Sequence, residues 1–255
     1  MSEPQFLPPT VALEQLMPEL QAKGYAVLGP DDVARWAHCT RAELLALCSD
    51  WHDMPPDLYL KDGGHYRRRR HSCFAYEAGV LTQVPHRAHW QSLDYNALHG
   101  GMQRWFEPMR PDTVAQPAWQ QLLCAFGQTA QALRAHKPHD AEPATGCIEA
   151  HQFRIDTTDG IGRPTPEGAH RDGVDLVGVF MVNRTGIKGG ETRVFEAQGT
   201  GGQRFTLTEP WSLLLLDDAR VIHETTPIQP LAPGGHRDTL VLTCLAGAFQ
   251  KESTQ

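Results

Sequence analysis

The rhythm of apolar and polar positions changes once along this chain, near residue 145. Before that point the spacing is helical. Residues 11–20 repeat apolar side chains every three to four positions, although Pro18 interrupts the pattern. Tyr25-Ala26-Val27-Leu28, bracketed by Gly24 and Gly29, predicts a short strand. Pro30, Asp31 and Asp32 open a predicted helix that runs to about Cys48, with the acidic start that the macrodipole prefers. Residues 115–136 predict a long helix through Trp119, Leu122, Leu123, Phe126 and Leu133. After residue 145, short strands are expected at 147–155, 174–182, 192–196, 204–208, 212–216, 221–225 and 237–245. Gly or Pro clusters separate most of them. Helices first and strands after predict an α+β chain. Its core would be a double-sheet antiparallel sandwich or barrel, with helices packed outside, mainly from the N-terminal half. A single domain spanning 1–255 is expected, helix-rich to about 145 and β-rich over about 146–250.

Composition narrows the function. The chain is 40% hydrophobic and 21% charged, which suits a globular protein and excludes a disordered one. Its 23 basic and 30 acidic residues leave a net charge of −7, a poor footprint for nucleic acid. No apolar run is long enough for a membrane helix, and the first nine residues lack the basic-then-apolar order of a signal peptide. A cytoplasmic protein is therefore expected. The six cysteines include no C-x-x-C pair, so they read as reduced thiols rather than zinc or cluster ligands. The 13 histidines are the unusual number, because imidazole is the commonest metal ligand.

The sharpest signal is Glu167-Gly168-Ala169-His170-Arg171-Asp172-Gly173. Residues two apart on extended chain share a face, so His170 and Asp172 can converge on one ion. His223, 51 residues after Asp172, follows an apolar strand and a turn at Asp217-Asp218. Two imidazoles and a carboxylate form the facial triad of non-haem Fe(II) oxygenases, with three positions open. A 2-oxo acid would fill two and dioxygen the third. Such a co-substrate needs a cation at its far end. Arg237, 14 residues after His223, offers a bidentate fork, and Thr239 shares its strand face. A lone His-x-Asp, His or Arg is more often structural; the joint order is what points to a site.

That order resembles the Fe(II)/2-oxoglutarate-dependent dioxygenases. More narrowly, it resembles the bacterial group of L-isoleucine dioxygenase and biofilm-stress (BsmA-like) homologues. The resemblance rests on 151–155, Pro166-Glu167-Gly168, His170-Arg171-Asp172-Gly173, Val182-Asn183-Arg184, Gly189-Gly190-Glu191-Thr192, Phe205-Thr206-Leu207, His223 and 237–243. Less specific matches run upstream through 66–70 and 94–101. The resemblance implies that the β-core is a double-stranded β-helix (a cupin-like jelly roll) holding Fe(II). It also implies hydroxylation or sulfoxidation of a free aliphatic L-amino acid, with 2-oxoglutarate and O2 giving succinate and CO2 and ascorbate as a supporting reductant.

Further candidates have two readings each. Arg154, sharing a face with Gln152, either pairs a substrate carboxylate or bonds loop carbonyls. Glu167 either meets a ligand or substrate ammonium or is a surface turn residue. Thr192 and Asn183 either face the co-substrate or do not. Arg67–Arg70 should alternate faces: one pair can reach an anion in the site, or the run is a solvated edge strand. His65, His71, His86, His89, His99, His136, His139 and His236 read as surface residues, and His151 as a group behind the ligands. Trp211 and Phe205 read as core; Trp90 and Trp105 are candidate pocket walls. Rival functions are a non-catalytic metal-binding or ligand-sensing jelly roll, a cupin-like oxygenase without an oxo acid, and an oxygenase acting on a peptide or another small molecule.

Overall fold

The computed structural model describes residues 6–137 and 145–251; His139 and the first five residues lie outside it. The chain opens with a two-residue strand β1 (Thr10–Val11), a 3-10 turn, helix α1 (Leu16–Lys23) and strand β2 (Tyr25–Leu28). The predicted helix over 11–20 is thus displaced toward the C-terminus. Pro18 sits in the first turn, where its missing N–H has no partner to lose. Gly24 ends α1 with φ +78°, and a Cβ there would lie 3.0 Å from Arg220 and Val221.

The single helix expected over 31–48 is instead three pieces. Helix α2 (Pro30–Trp36) stops before His38, whose φ is +54°. Thr40 then starts helix α3 (Arg41–Ala46) with a capping box to Glu43, and a 3-10 turn covers Leu47–Trp51. A hairpin follows, β3 (Arg67–Glu77) and β4 (Val80–Gln83), turning at Ala78 and Gly79 with φ of +47° and +86°. Helices α4 (Pro111–Val114) and α5 (Pro117–Ala135) close the first half.

The strand-rich half holds β5 (Gly146–Asp156), β6 (Leu176–Thr185), β7 (Ile187–Gly189), β8 (Thr192–Glu196), β9 (Gly202–Phe205), β10 (Leu213–Asp217), β11 (Val221–Thr225), β12 (Ile228–Pro230) and β13 (His236–Ala246). The expected strands at 192–196 and 221–225 coincide with β8 and β11; the others shift by up to three residues. Eight strands form one sheet in the order β1-β2-β10-β6-β13-β5-β3-β4, all antiparallel except β1 with β2. The sheet β11-β8-β9 and the pair β12-β7 face it, completing the jelly roll.

The large sheet has two unlike faces. Ile148 and Ala150 of β5, Phe180 of β6 and Leu240 and Leu242 of β13 pack outward under the helices, against Trp119, Leu122 and Phe126 of α5. Full burial of each large apolar side chain is worth roughly 1.5–3 kcal/mol. Two glycines permit the close approach of α5: a Cβ on Gly178 would meet Phe126 at 2.9 Å, and one on Gly127 would meet Tyr76 at 2.5 Å. A smaller apolar cluster fills one end between the sheets, with Val177, Met181 and Leu214 against Val194, Phe205 and Val221. The rest of the inner space is a polar-walled cavity. No helix among the described residues is long and apolar enough to cross a membrane.

Candidate active site

His170 and His223 are brought together by backbone pairing. Each donates its amide N–H to the other's carbonyl at 3.0 Å, and their rings lie 4.6 Å apart. Asp172 follows in a loop folded over Asp218. The Asp218 carboxylate accepts the amides of Asp172 (2.9 Å), Gly173 (2.7 Å) and Val174 (3.1 Å). The loop needs glycine at 173: φ is +75°, and a Cβ would stand 2.4 Å from the Tyr95 ring. Asp172 then lies 4.0 Å from His170 Nε2 and 3.9 Å from His223 Nε2.

The ligand atoms of His170, Asp172 and His223 all fall within 4.8 Å of one another. The donors fit a divalent cation. His170 Nδ1 bonds the Gly168 carbonyl at 2.9 Å, which leaves the Nε2 lone pair free. Burial, with His170 beside it, holds the His223 pKa well below the usual range, so this imidazole is neutral. Burial opposes charge on His170, but Asp172 and Glu167 outweigh it and raise its pKa; a cation would displace that proton. His223 Nδ1 is buried without a partner among the described residues.

Arg237 and Thr239 of β13 line the same cavity and are almost fully buried. Arg237 Nε and Nη2 have no partner among the described residues. Burial, and Arg184 nearby, lower its pKa to about 10, so it stays cationic at neutral pH. A buried cation with unmet donors is a receptor for an anion.

Other candidates are placed less uniformly. Glu167 lines the cavity, with Oε1 3.6 Å from His170 Nε2 and Oε2 buried and unpartnered. Gln152 and Arg154 point the other way. On β5 it is Glu149, His151, Phe153 and Ile155 that face the cavity, and Arg154 clasps Asp238 with two 2.7 Å bonds. Their shared face was correctly read; that it is the outer face follows from Ile148 and Ala150 packing under the helices. Thr192 is buried opposite Thr225 but does not line the cavity, and Asn183 bonds His236. Trp90 lines the cavity; Trp105 is 54% exposed.

The arginine run is not a solvated edge. Arg67 and Arg69 are buried on the cavity side of β3, while Arg68 and Arg70 face outward. Loop backbone covers the strand beyond β4, through bonds from Asp57 N to Arg67 O and from Arg69 N to Pro55 O. His71, His89 and His99, read as surface residues, are buried too. His71, His89, Glu149 and His151 form a second group with metal-ligand spacing. Hydrogen bonds explain it instead. Glu149 Oε2 takes His71 Nε2 at 2.8 Å and His89 Nδ1 at 2.6 Å. Arg69 donates to His151 Nδ1 at 2.9 Å, placing the neutral ring's proton on Nε2, where a metal would have to bind. Burial would raise the Glu149 pKa, but His89 and His71 overcome it and keep the carboxylate ionised. Sequence reading missed Gln91. Its amide donates to Asp172 Oδ1 at 3.1 Å, while its oxygen accepts from Asn96 (3.2 Å) and Arg104 (2.9 Å). No spacing signal marks it, because the iron ligand it touches, Asp172, is 81 residues away.

Comparison with known proteins agrees with this geometry. The profile of the 2OG-Fe dioxygenase family matches residues 48–243. A BsmA homologue from Methylobium petroleophilum PM1 is 48% identical, covering 97% of this chain and 98% of its own, with a TM-score of 0.89. IDO from Bacillus thuringiensis superposes with a TM-score of 0.73 at 17% identity, over 97% and 99% of the two chains. The Fe(II)/(alpha)ketoglutarate-dependent dioxygenase TqaL does so at 0.69 and 18%, over 93% and 91%; these two show a shared fold. No curated protein matches. The family uses Fe(II), 2-oxoglutarate and O2, and the His170-Asp172-His223 group is the iron site they require. Matched over three quarters of its length and carrying that site intact, the chain belongs to the 2OG-Fe dioxygenase family.

Proposed function

We propose that this dioxygenase hydroxylates or sulfoxidises a free aliphatic L-amino acid, as its likeness to the L-isoleucine dioxygenase and BsmA-like group suggests. One O2 and one 2-oxoglutarate would yield succinate, CO2 and an oxygen atom placed on the substrate. Bound Fe(II) supplies the oxidising chemistry; the chain supplies position and shielding. His170, Asp172 and His223 would hold the metal, which would supply the oxygen-activating chemistry of a facial triad. Arg237 grips the distal carboxylate of 2-oxoglutarate, with the Thr239 hydroxyl donating beside it. Gln91 keeps the Asp172 carboxylate turned toward the metal. Val174, Val179 and Val241 wall the reaction from bulk water. Glu167, whose Oε2 is unmet among the described residues, meets the substrate ammonium.

The observation that carries this reading is one cavity holding both the iron triad and a buried Arg237 whose Nε and Nη2 are unmet among the described residues. Its test is succinate release by protein prepared without oxygen, then given Fe(II), ascorbate and air, with the twenty L-amino acids added singly. Stimulation by one or a few aliphatic members is expected, with turnover lost in His170→Ala. In Arg237→Ala, KM for 2-oxoglutarate should rise about 10- to 100-fold, the range for a hydrogen-bonded charge pair. Background release that no amino acid stimulates would discard this substrate class.

A further inference from the structure

On the same sheet face as Arg237, across the intervening strand β5, the cavity carries a second group of buried cations; Arg67 and Arg237 both pair with Ile155. Arg67, Arg69 and Arg104 line it, exposed by 5%, 4% and 2%. Each leaves a buried N–H unmet among the described residues: Nη2 of Arg67, Nε of Arg69 and Nε of Arg104.

The nearby carboxylates do not satisfy them. Asp57 is taken by Arg67 Nε at 2.7 Å and by the Tyr59 amide at 2.9 Å. Glu149 is shared between two histidines. Among the described residues Arg69 pairs with no carboxylate, its Nη2 donating to His151. It is held between Phe106 and Phe153, its guanidinium carbon 4.0 and 4.6 Å from the two ring centres. Among the described residues the Arg104 guanidinium bonds the neutral Gln91 oxygen and no carboxylate. Guanidiniums that stay charged and repel one another inside a protein call for a counter-anion. Aromatic stacking on Arg69 and the Gln91 bond to Arg104 fix both forks before any ligand arrives.

We infer that Arg69 and Arg104, flanked by Arg67, form a carboxylate-binding subsite for the substrate, distinct from the Arg237 site for the co-substrate. The inference rests on the amino-acid reading above and sharpens it: the α-carboxylate must be free. An amino acid then spans the cavity with its carboxylate on these arginines and its ammonium toward Glu167, directing the side chain to the iron. Amides, esters and decarboxylated amines are excluded, because they would leave buried guanidinium donors unmet. Gln91 touches both Arg104 and Asp172, so the subsite shares a neighbour with the iron site.

The test is calorimetric titration, without oxygen, of protein loaded with Fe(II) and 2-oxoglutarate. The probes are L-isoleucine, L-leucine, leucinamide, isoamylamine and 4-methylpentanoate. Wild type should bind an amino acid and, more weakly, 4-methylpentanoate, and neither amide nor amine. Arg69→Gln and Arg104→Gln should lower carboxylate binding about 10- to 100-fold while the affinity for 2-oxoglutarate stays within twofold. Arg69→Lys keeps the charge without the fork and should fall between. The comparison of leucine with leucinamide uses wild type alone, so it stands even if a variant misfolds. Leucinamide binding as tightly as leucine would overturn the subsite. So would amino-acid binding that ignores both arginines, or weakened 2-oxoglutarate binding in Arg69→Gln, which would assign the cluster to the co-substrate. Arginine-dependent binding of 4-methylpentanoate without binding of either amino acid would keep the subsite and discard the amino-acid reading. No binding of any probe would overturn both.

Discussion

The two faces of the large sheet differ more than any two parts of the chain, yet they alternate residue by residue along the same strands. On β5, Ile148 and Ala150 pack beneath α5, while Glu149 and His151 between and beside them face the cavity. On β13, Leu240 and Leu242 alternate with Thr239, Val241 and Thr243. The outer face follows the rule of apolar burial and stabilises the fold. The inner face breaks that rule with buried Arg67, Arg69, Glu149 and Arg237. Burying such groups opposes folding, and only ligands or internal partners offset it. A sheet of this kind keeps stability and chemistry a single peptide bond apart, with the pleat as the insulator.

The strongest way to break the comparison is on the outer face. Phe126→Ala removes a fully buried ring that sits over Gly178. Chemical denaturation should show a loss of about 3–5 kcal/mol. Iron and 2-oxoglutarate affinities, measured on the folded fraction, should be unchanged; a parallel loss of both would mean the faces are not insulated.

Acidification probes the inner face. Burial, only partly opposed by Glu149, lowers the His89 pKa to about 4, and His71 and His151 are lowered as well. In the unfolded chain these rings take up protons near pH 6.5. Between about 6.5 and 4 the unfolded state therefore binds more protons, so stability falls as pH drops. Each such histidine contributes up to about 1.4 kcal/mol per pH unit. The Tm of metal-free protein should decline from pH 7 to 5, and His89→Gln should flatten the decline. A Tm that is level across this range would contradict the buried neutral imidazoles.

The smallest effect is expected one residue from the largest charges. Arg68 points outward, with its side chain 44% exposed and 3.7 Å from Asp156. Arg68→Ala should change stability by less than about 1 kcal/mol and leave substrate binding intact. Its neighbour Arg69 should be intolerant in both respects.

These contrasts also mark how far sequence reading reaches. A double-sheet β-core was legible from the strand spacing after residue 145, its jelly-roll form from the family resemblance, and the iron ligands from His-x-Asp with a distant His. These signals are local or ordered along the chain. Parity along β3 and β5 was legible too, pairing Arg67 with Arg69 and Gln152 with Arg154. Which parity faces inward was not, because tertiary packing under α5 decides it. That is why Arg154 was a candidate and turns out to be clasped by Asp238. It is also why His71, His89 and Gln91 went unnoticed: their partners are remote in sequence. The helix expected over 31–48 failed for a local reason, the left-handed His38 followed by the Thr40 cap.

The reciprocal amide bonds between His170 and His223 have a mechanical consequence. They rivet the loop after β5 to β11, so the spacing of two iron ligands is set by main chain, not by the metal. The iron seat is thereby preassembled, and an incoming ion needs only to settle the carboxylate of Asp172. In hydrogen–deuterium exchange these two amides should stay protected after chelation, while the Asp172 loop gains protection when Fe(II) returns. Iron would then act as a reversible tenant of the fold and not as one of its struts.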